Sequence, residues 1–255
     1  MSLRELDYQG RVLARLDDYL TELTAQKAKA DKIDAANAGE TDPDLIRPVP
    51  DFPLKTWQVL RTAGQLPDSR TDIPYSPRQD GMGRPVPNVV FKVPTGGGKT
   101  FLAVAALSKI FRRYLGRQTG FVLWIVPNEA IYAQTQRQLI DRQHPYRQLL
   151  DVLSGQRVRL LEKDDHLDAR EVESHLCLML LMLQSSNREN KDALKIFRDR
   201  GDVQGFFPPE GDQEAHALAR EKTPNLDIYD LAGSAYVWPQ IKDSLGNALR
   251  LIRPM

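Results

Sequence analysis

The residues with the most definite chemistry are Pro94-Thr-Gly-Gly-Gly-Lys-Thr100, set between the β-branched run Val89–Val93 and a helical pattern that begins at Phe101. Three consecutive glycines let the backbone turn its N–H groups around an anion, and the N-terminal end of the following helix adds a positive dipole end. Lys99 is long enough to reach the β- and γ-phosphates of a nucleotide, and the Thr100 hydroxyl is a ligand for Mg²⁺. On this reading Pro94, Thr95, Gly96, Gly97 and Gly98 form a phosphate cradle, Lys99 serves catalysis as well as binding, and Thr100 holds the metal. The general pattern opens on Gly where this chain has Val93. A strand before the loop, a helix after it and an intact Gly-Lys-Thr supply the context the motif requires.

A loop of this kind needs a strand and a helix to hold it, and the pattern around it supplies alternating elements. Val89–Val93 reads as a strand, Phe101–Leu115 as a helix closed by Gly116, and Phe121–Val126 as a continuous apolar strand. Asn128 then caps a helix running to about Arg142, Arg157–Leu161 is a further strand, and His175–Leu183 is a fully buried one. Strands alternating with helices predict a mostly parallel sheet flanked by helices. Upstream, Leu6, Val12, Leu13, Leu16, Leu20 and Leu23 approximate helical spacing and predict one or two exposed helices up to about Asn37. The Pro-rich stretch Gly39–Pro53 reads as a linker, and a second loop spans Leu66–Pro87. The expected organisation is an N-terminal helical extension and linker over residues 1–48 and a main domain over 49–255. An insertion of polar turns occupies about 201–235, and a last helix spans Tyr236–Leu251.

The composition suits such a domain. Of 255 residues, 41 % are hydrophobic and 27 % charged, which excludes wholesale disorder, collagen-like sequence and a coiled coil. The longest apolar run, Leu176–Leu183, is far shorter than the roughly 18 residues of a membrane span, and the N-terminus lacks a signal peptide's apolar stretch. The expectation is a cytoplasmic protein without a membrane partner. Cys177, the single cysteine, lies inside the apolar run and is expected in the core, not in a disulfide or zinc site. The net charge of +1 hides an uneven distribution: residues 51–150 carry 14 basic and 6 acidic groups between acidic ends. That asymmetry is what a polyanion-facing surface would show.

At the phosphate loop the sequence resembles the superfamily 2 helicases and translocases of the DEAD/DEAH type, whose first motif tolerates a small residue in place of the initial Gly. Two further stretches fit in the same order. Leu54-Lys-Thr-Trp-Gln58 is similar to the family's glutamine motif, in which the amide of Gln58 would read the adenine edge. Trp124-Ile-Val-Pro-Asn-Glu-Ala-Ile131 resembles motif Ia, so that Pro127 and Asn128 would meet a nucleic-acid backbone phosphate. Gln184 and Ser185 stand where such proteins place another polar contact to the strand. Phe206-Phe-Pro-Pro and the long N-terminal part bring the motor subunit of type III restriction enzymes to mind. The resemblance implies a RecA-like P-loop NTPase domain binding ATP and Mg²⁺, DNA as partner with RNA left open, and, in a restriction system, a methyltransferase subunit.

ATP hydrolysis by such motors also needs a carboxylate pair, Asp for the Mg²⁺ shell and Glu to polarise the attacking water. No apolar run here ends in adjacent Asp-Glu. The nearest stretches, Leu160–His166 and Leu226–Asp230, read as solvated loops. The expectation is therefore the N-terminal fragment of an ATP-dependent DNA helicase or translocase motor, stopping before that motif and inactive alone. Two other classes stand beside it: a non-catalytic nucleotide-binding interaction module, favoured by the missing carboxylates, and another P-loop phosphotransferase.

Overall fold

The structure, a computed structural model, describes residues 6–66, 72–182, 201–232 and 237–253. The chain is α/β, with a parallel sheet and flanking helices. It divides into two compact units at Gly116.

The first unit is built on one long helix, α1 (Asp7–Asn37), not on two. Leu13, Leu16, Leu20 and Leu23 recur at spacings of three and four, so they share one face. That face packs with Ala106 of α3 (Lys99–Lys109), with Ile110 and Tyr114 just beyond it, and with Phe52 of α2 (Phe52–Thr62). Each buried leucine contributes about 1.5–3 kcal/mol, so packing, not intrinsic propensity, holds this helix in place. Asp17 adds ion pairs with Lys109 at 3.4 Å and Arg113 at 3.3 Å. The linker ends where Asp51 accepts the Leu54 N–H at 2.8 Å and caps α2, with Pro53 in its first turn. After α3 the chain continues in wider, π-type turns over Ile110–Leu115 and stops at Gly116, whose left-handed φ of 61° closes the helix.

The strand expected over Val89–Val93 does not form. Residues 88–93 make no ladder, and Val89, Val90 and Phe91 are 42, 79 and 38 % exposed. A β-branched run becomes a strand only when a neighbouring edge pairs with its backbone, and Pro87 and Pro94 remove donors at both ends of this one.

The second unit contains a three-stranded parallel sheet in the order β1 (Gly120–Val126), β4 (Leu176–Met182), β2 (Val158–Leu161). Gly120 pairs with Leu176 and Val126 with Met182 on one side, and Val158 with Leu176 on the other. β4 is central and its first six residues are buried, which is why it reads as an unbroken apolar run. Cys177, Met179 and Leu181 project to one face, where Phe121, Leu161, Leu245 and Ala248 complete a core. Cys177 is fully buried, as its setting in the sequence requires, and burial with the nearby Glu171 carboxylate pushes its thiol up to about 12. α4 (Glu129–Ile140), capped by Asn128, and α5 (Pro145–Ser154) follow β1, and α4 packs on β4.

The stretch expected as an irregular insertion is more ordered than its weak periodicity suggests. β5 (Val203–Gln204) pairs in parallel with β3 (Leu167–Asp168), which leads into α6 (Ala169–Ser174). A capped helix, α7 (Gln213–Lys222), follows. Its mostly polar sequence hides one core position, His216, which is 2 % exposed and accepts the Ile241 N–H at 3.1 Å through Nδ1. The last helix, α8, spans Leu245–Ile252 and starts later than expected, because Ile241 pairs with Ile228 in an isolated bridge and Ser244 supplies the cap.

Candidate functional site

Pro94–Thr100 folds as a tight turn running straight into α3. The Gly97 N–H donates to the Pro94 carbonyl at 3.1 Å, and Gly96 and Gly98 adopt left-handed φ angles of 77° and 74°. Those angles favour glycine strongly. Gly97, in contrast, is glycine for want of space: a Cβ there would lie 2.8 Å from the Val93 side chain and 3.0 Å from the Pro94 carbonyl. Gly97 is buried, whereas Pro94, Thr95, Gly96 and Lys99 are exposed.

Gly98 is also the N-cap of α3 and offers no side-chain acceptor to the first turn, which carries no acidic residue. α2, α4, α7 and α8 differ, being capped by Asp51, Asn128, Asp212 and Ser244. The first helical bond of α3 runs from the Leu102 N–H to the Gly98 carbonyl at 3.0 Å. The N–H groups before it point out of the helix end, where the dipole is positive and Lys99 and Thr100 stand. An anion with several acceptor oxygens matches this donor set, and the Thr100 hydroxyl suits a hard cation such as Mg²⁺.

The backbone of the loop is held from outside. The Tyr8 hydroxyl and the Gln9 side-chain amide, both on the first turn of α1, donate to the Gly97 carbonyl, Gln9 at 3.2 Å. Motif matching assigns neither residue a role. One signal could have found Gln9: it occupies a position on the Leu6, Leu13, Leu16, Leu20 stripe where a core residue is expected, and it is only 5 % exposed.

The other candidates are placed as follows. Gln58 is exposed on α2, one residue from Trp57, which lies 5.8 Å from Tyr75 between ring centroids and 5.1 Å from the Arg61 guanidinium. In the second unit, Pro127 and Asn128 are exposed at the end of β1, and the Asn128 oxygen is engaged by the Ile131 N–H at 3.0 Å. Only its amide nitrogen is therefore suited to meet a phosphate oxygen, and Glu129 in the same turn opposes an anion. Gln184 and Ser185 lie outside the described residues. Of the acidic stretches, Glu162, Asp164 and Asp165 are exposed, and with burial they push the nearby Tyr132 phenol up to about 12. Asp227 is not a solvated loop residue: it is half-buried and paired with Arg250 at 3.2 Å. No group of three or more His, Cys, Asp or Glu among the described residues could hold a metal ion.

The first unit carries a glycine loop opening into a helix, the second a parallel sheet flanked by helices, and the family match gives their class: a P-loop helicase domain. Residues 74–203, half of the chain, match the family described as type III restriction enzyme, res subunit. The chain belongs to that family, one of helicase-like hydrolases with a superfamily 2 motor domain. No curated protein and no solved structure matches the chain.

Proposed function

We propose that this chain carries the ATP-binding part of an ATP-dependent translocase or helicase acting on DNA, in the manner of a restriction-enzyme motor. The observation that carries the reading is the left-handed Gly98, which turns the glycine loop into an uncapped helix end with Lys99 and Thr100 on its first turn. Pro94–Gly98 would cradle the phosphates of ATP, Lys99 would neutralise their charge, and Thr100 would hold Mg²⁺, which spreads the charge building up on the transferred phosphoryl group. Gln58 would read the adenine edge. Pro127, Asn128, Gln184 and Ser185 would meet the nucleic-acid backbone, with DNA favoured over RNA because the family is that of a restriction-enzyme subunit. A methyltransferase subunit and a cytoplasmic setting follow if the motor works in a restriction system. Residues 49–255 would form the motor region and 1–48 a helical extension.

Because no apolar run in the 255 residues ends in Asp-Glu, the chain should bind ATP but turn it over slowly. Titration of the chain with Mg·ATP, read by calorimetry, tests the reading. Saturable binding that weakens at least about tenfold in Lys99→Ala is expected, since hydrogen bonds to charged groups contribute about 1.5–3 kcal/mol. Equal binding by the variant would overturn it.

A further inference from the structure

We propose that the hairpin Arg78–Val86 binds the phosphate backbone of DNA, with Asp80 as a positioning residue that holds the Arg84 guanidinium ready for a phosphate. This role, which rests on the reading that the chain acts on DNA, falls to a stretch outside every motif named above. The segment Asp80-Gly-Met-Gly-Arg84 closes on itself. The Asp80 N–H donates to the Arg84 carbonyl at 2.9 Å, the Gly83 N–H to the Asp80 carbonyl at 3.0 Å, and the Val86 N–H to the Arg78 carbonyl at 2.8 Å. Gly83, with a left-handed φ of 74°, stands where a three-residue hairpin loop needs that conformation.

The Asp80 carboxylate does more than close the turn. Its Oδ1 accepts the N–H groups of Met82 at 2.9 Å and Arg84 at 3.0 Å, and its Oδ2 accepts the Arg84 Nε–H at 2.9 Å. A guanidinium is planar and carries five donors, so a bond through Nε fixes its plane and leaves the edge between Nη1 and Nη2 open. Among the described residues neither Nη group of Arg84 has a partner, and Arg84 is 49 % exposed whereas Asp80 is 19 %. Two parallel N–H donors on such an edge take a phosphate through two of its oxygens. Holding the arginine in advance reduces the side-chain ordering that binding would otherwise cost.

The rest of the hairpin favours the same ligand. Gln79 and Pro85 form an antiparallel bridge, so the alternation of the two arms puts Arg78 and Asp80 on one face, with Arg84 opposite Asp80. Two exposed arginines thus share a face with one carboxylate. Over residues 74–92, Arg78, Arg84 and Lys92 stand against the single acid Asp80. Cations spread from Arg78 to Lys92 suit a repeating polyanion, which favours the DNA backbone over the phosphates of ATP.

The test uses the full chain, titrated with a fluorescently labelled DNA duplex at several salt concentrations and, separately, with Mg·ATP. Arg84→Ala should weaken DNA binding about tenfold, as the loss of charge-assisted hydrogen bonds does, and reduce the slope of log affinity against log salt by about 1. Asp80→Asn keeps an acceptor for the two turn N–H groups but releases the guanidinium. It should weaken DNA binding about threefold even though it makes the chain more positive. Attraction by net charge alone gives the opposite sign, so tighter binding by Asp80→Asn would overturn the positioning role. Both variants should keep the wild-type affinity for Mg·ATP. Unchanged DNA affinity in Arg84→Ala, beside a wild-type chain that binds DNA, would overturn the hairpin site and leave the DNA reading standing. Weaker Mg·ATP with DNA binding intact would overturn it too, by giving Arg84 to the nucleotide. A wild-type chain that binds Mg·ATP but no DNA would overturn both the site and the DNA reading.

Discussion

Asn247 and Asp227 pair as two facing β-strand residues would: the Asn247 Oδ1 accepts the Asp227 N–H at 2.9 Å, and its Nδ2 donates to the Asp227 carbonyl at 2.9 Å. The amide also donates to the Lys242 carbonyl at 2.9 Å and accepts from Arg250 at 3.0 Å, so a fully buried side chain is satisfied at every position. Asn247→Ala strands buried backbone groups on two segments and should cost about 2–4 kcal/mol, read as a lowered urea midpoint. Asn247→Asp should cost a similar amount, because a carboxylate would face two carbonyl oxygens. A loss below about 0.5 kcal/mol for both would refute this account of how α8 is held.

Asp17 and Leu20 lie on the same helix and should separate charge from packing. The ion pairs of Asp17 are partly exposed, so Asp17→Asn is expected to cost less than about 1 kcal/mol and to matter less in high salt. Leu20→Ala, at a position 3 % exposed, should cost about 2–5 kcal/mol. Denaturant melts of both at low and high salt decide the order.

The three loop glycines should fail for different reasons. At Gly96 a Cβ would meet open space, so Gly96→Ala pays only for the left-handed backbone, about 1–2 kcal/mol. Gly97→Ala meets the Val93 side chain and the Pro94 backbone, and Gly98→Ala meets both an unfavourable φ and the Gln9 amide. Mg·ATP affinity should therefore fall least for Gly96→Ala. An inverted order in a titration series would contradict the geometry.

Cys177 should resist iodoacetamide at pH 8 in the native protein and react once the chain is unfolded in urea, because its thiol is pushed up to about 12. The sign of the linked pH effect follows. Between the ordinary thiol value of 9.0 and about 12 the native state keeps a proton that the unfolded chain releases, so this group's contribution to stability is complete below pH 9 and declines as pH rises through that window. Cys177→Ala should flatten that part of the stability profile.

If the basic surface of the first unit meets DNA, Arg112→Glu should weaken binding more than Arg113→Glu. Arg112 is exposed, whereas Arg113 already pairs with Asp17. Removing a phosphate contact should also reduce the slope of log affinity against log salt by about 1. A salt-independent affinity would remove DNA from the proposal.

Local chemistry was legible wherever one element carried it. The glycine loop, the Asn128 cap, the buried strand around Cys177 and the alternation of strands with helices all follow from residue type and spacing, because dihedral limits, capping and burial period act over a few residues. α7 was hidden because its helix shows a single buried position, His216, in place of a stripe. Asp227 reads as a surface acid until Arg250 and Asn247, more than a dozen residues away, are brought to it.

The sequence by itself determined the family and the groups the loop offers, since a Gly-Lys-Thr turn ahead of a helix presents N–H groups, a cation and a hydroxyl whatever surrounds it. Only the tertiary structure decided which strands share a sheet, that Val89–Val93 is not one of them, and that Tyr8 and Gln9 reach Gly97 across some ninety residues. Pairing and long-range hydrogen bonds depend on where packing places a second chain segment, and no local pattern in the first segment encodes that.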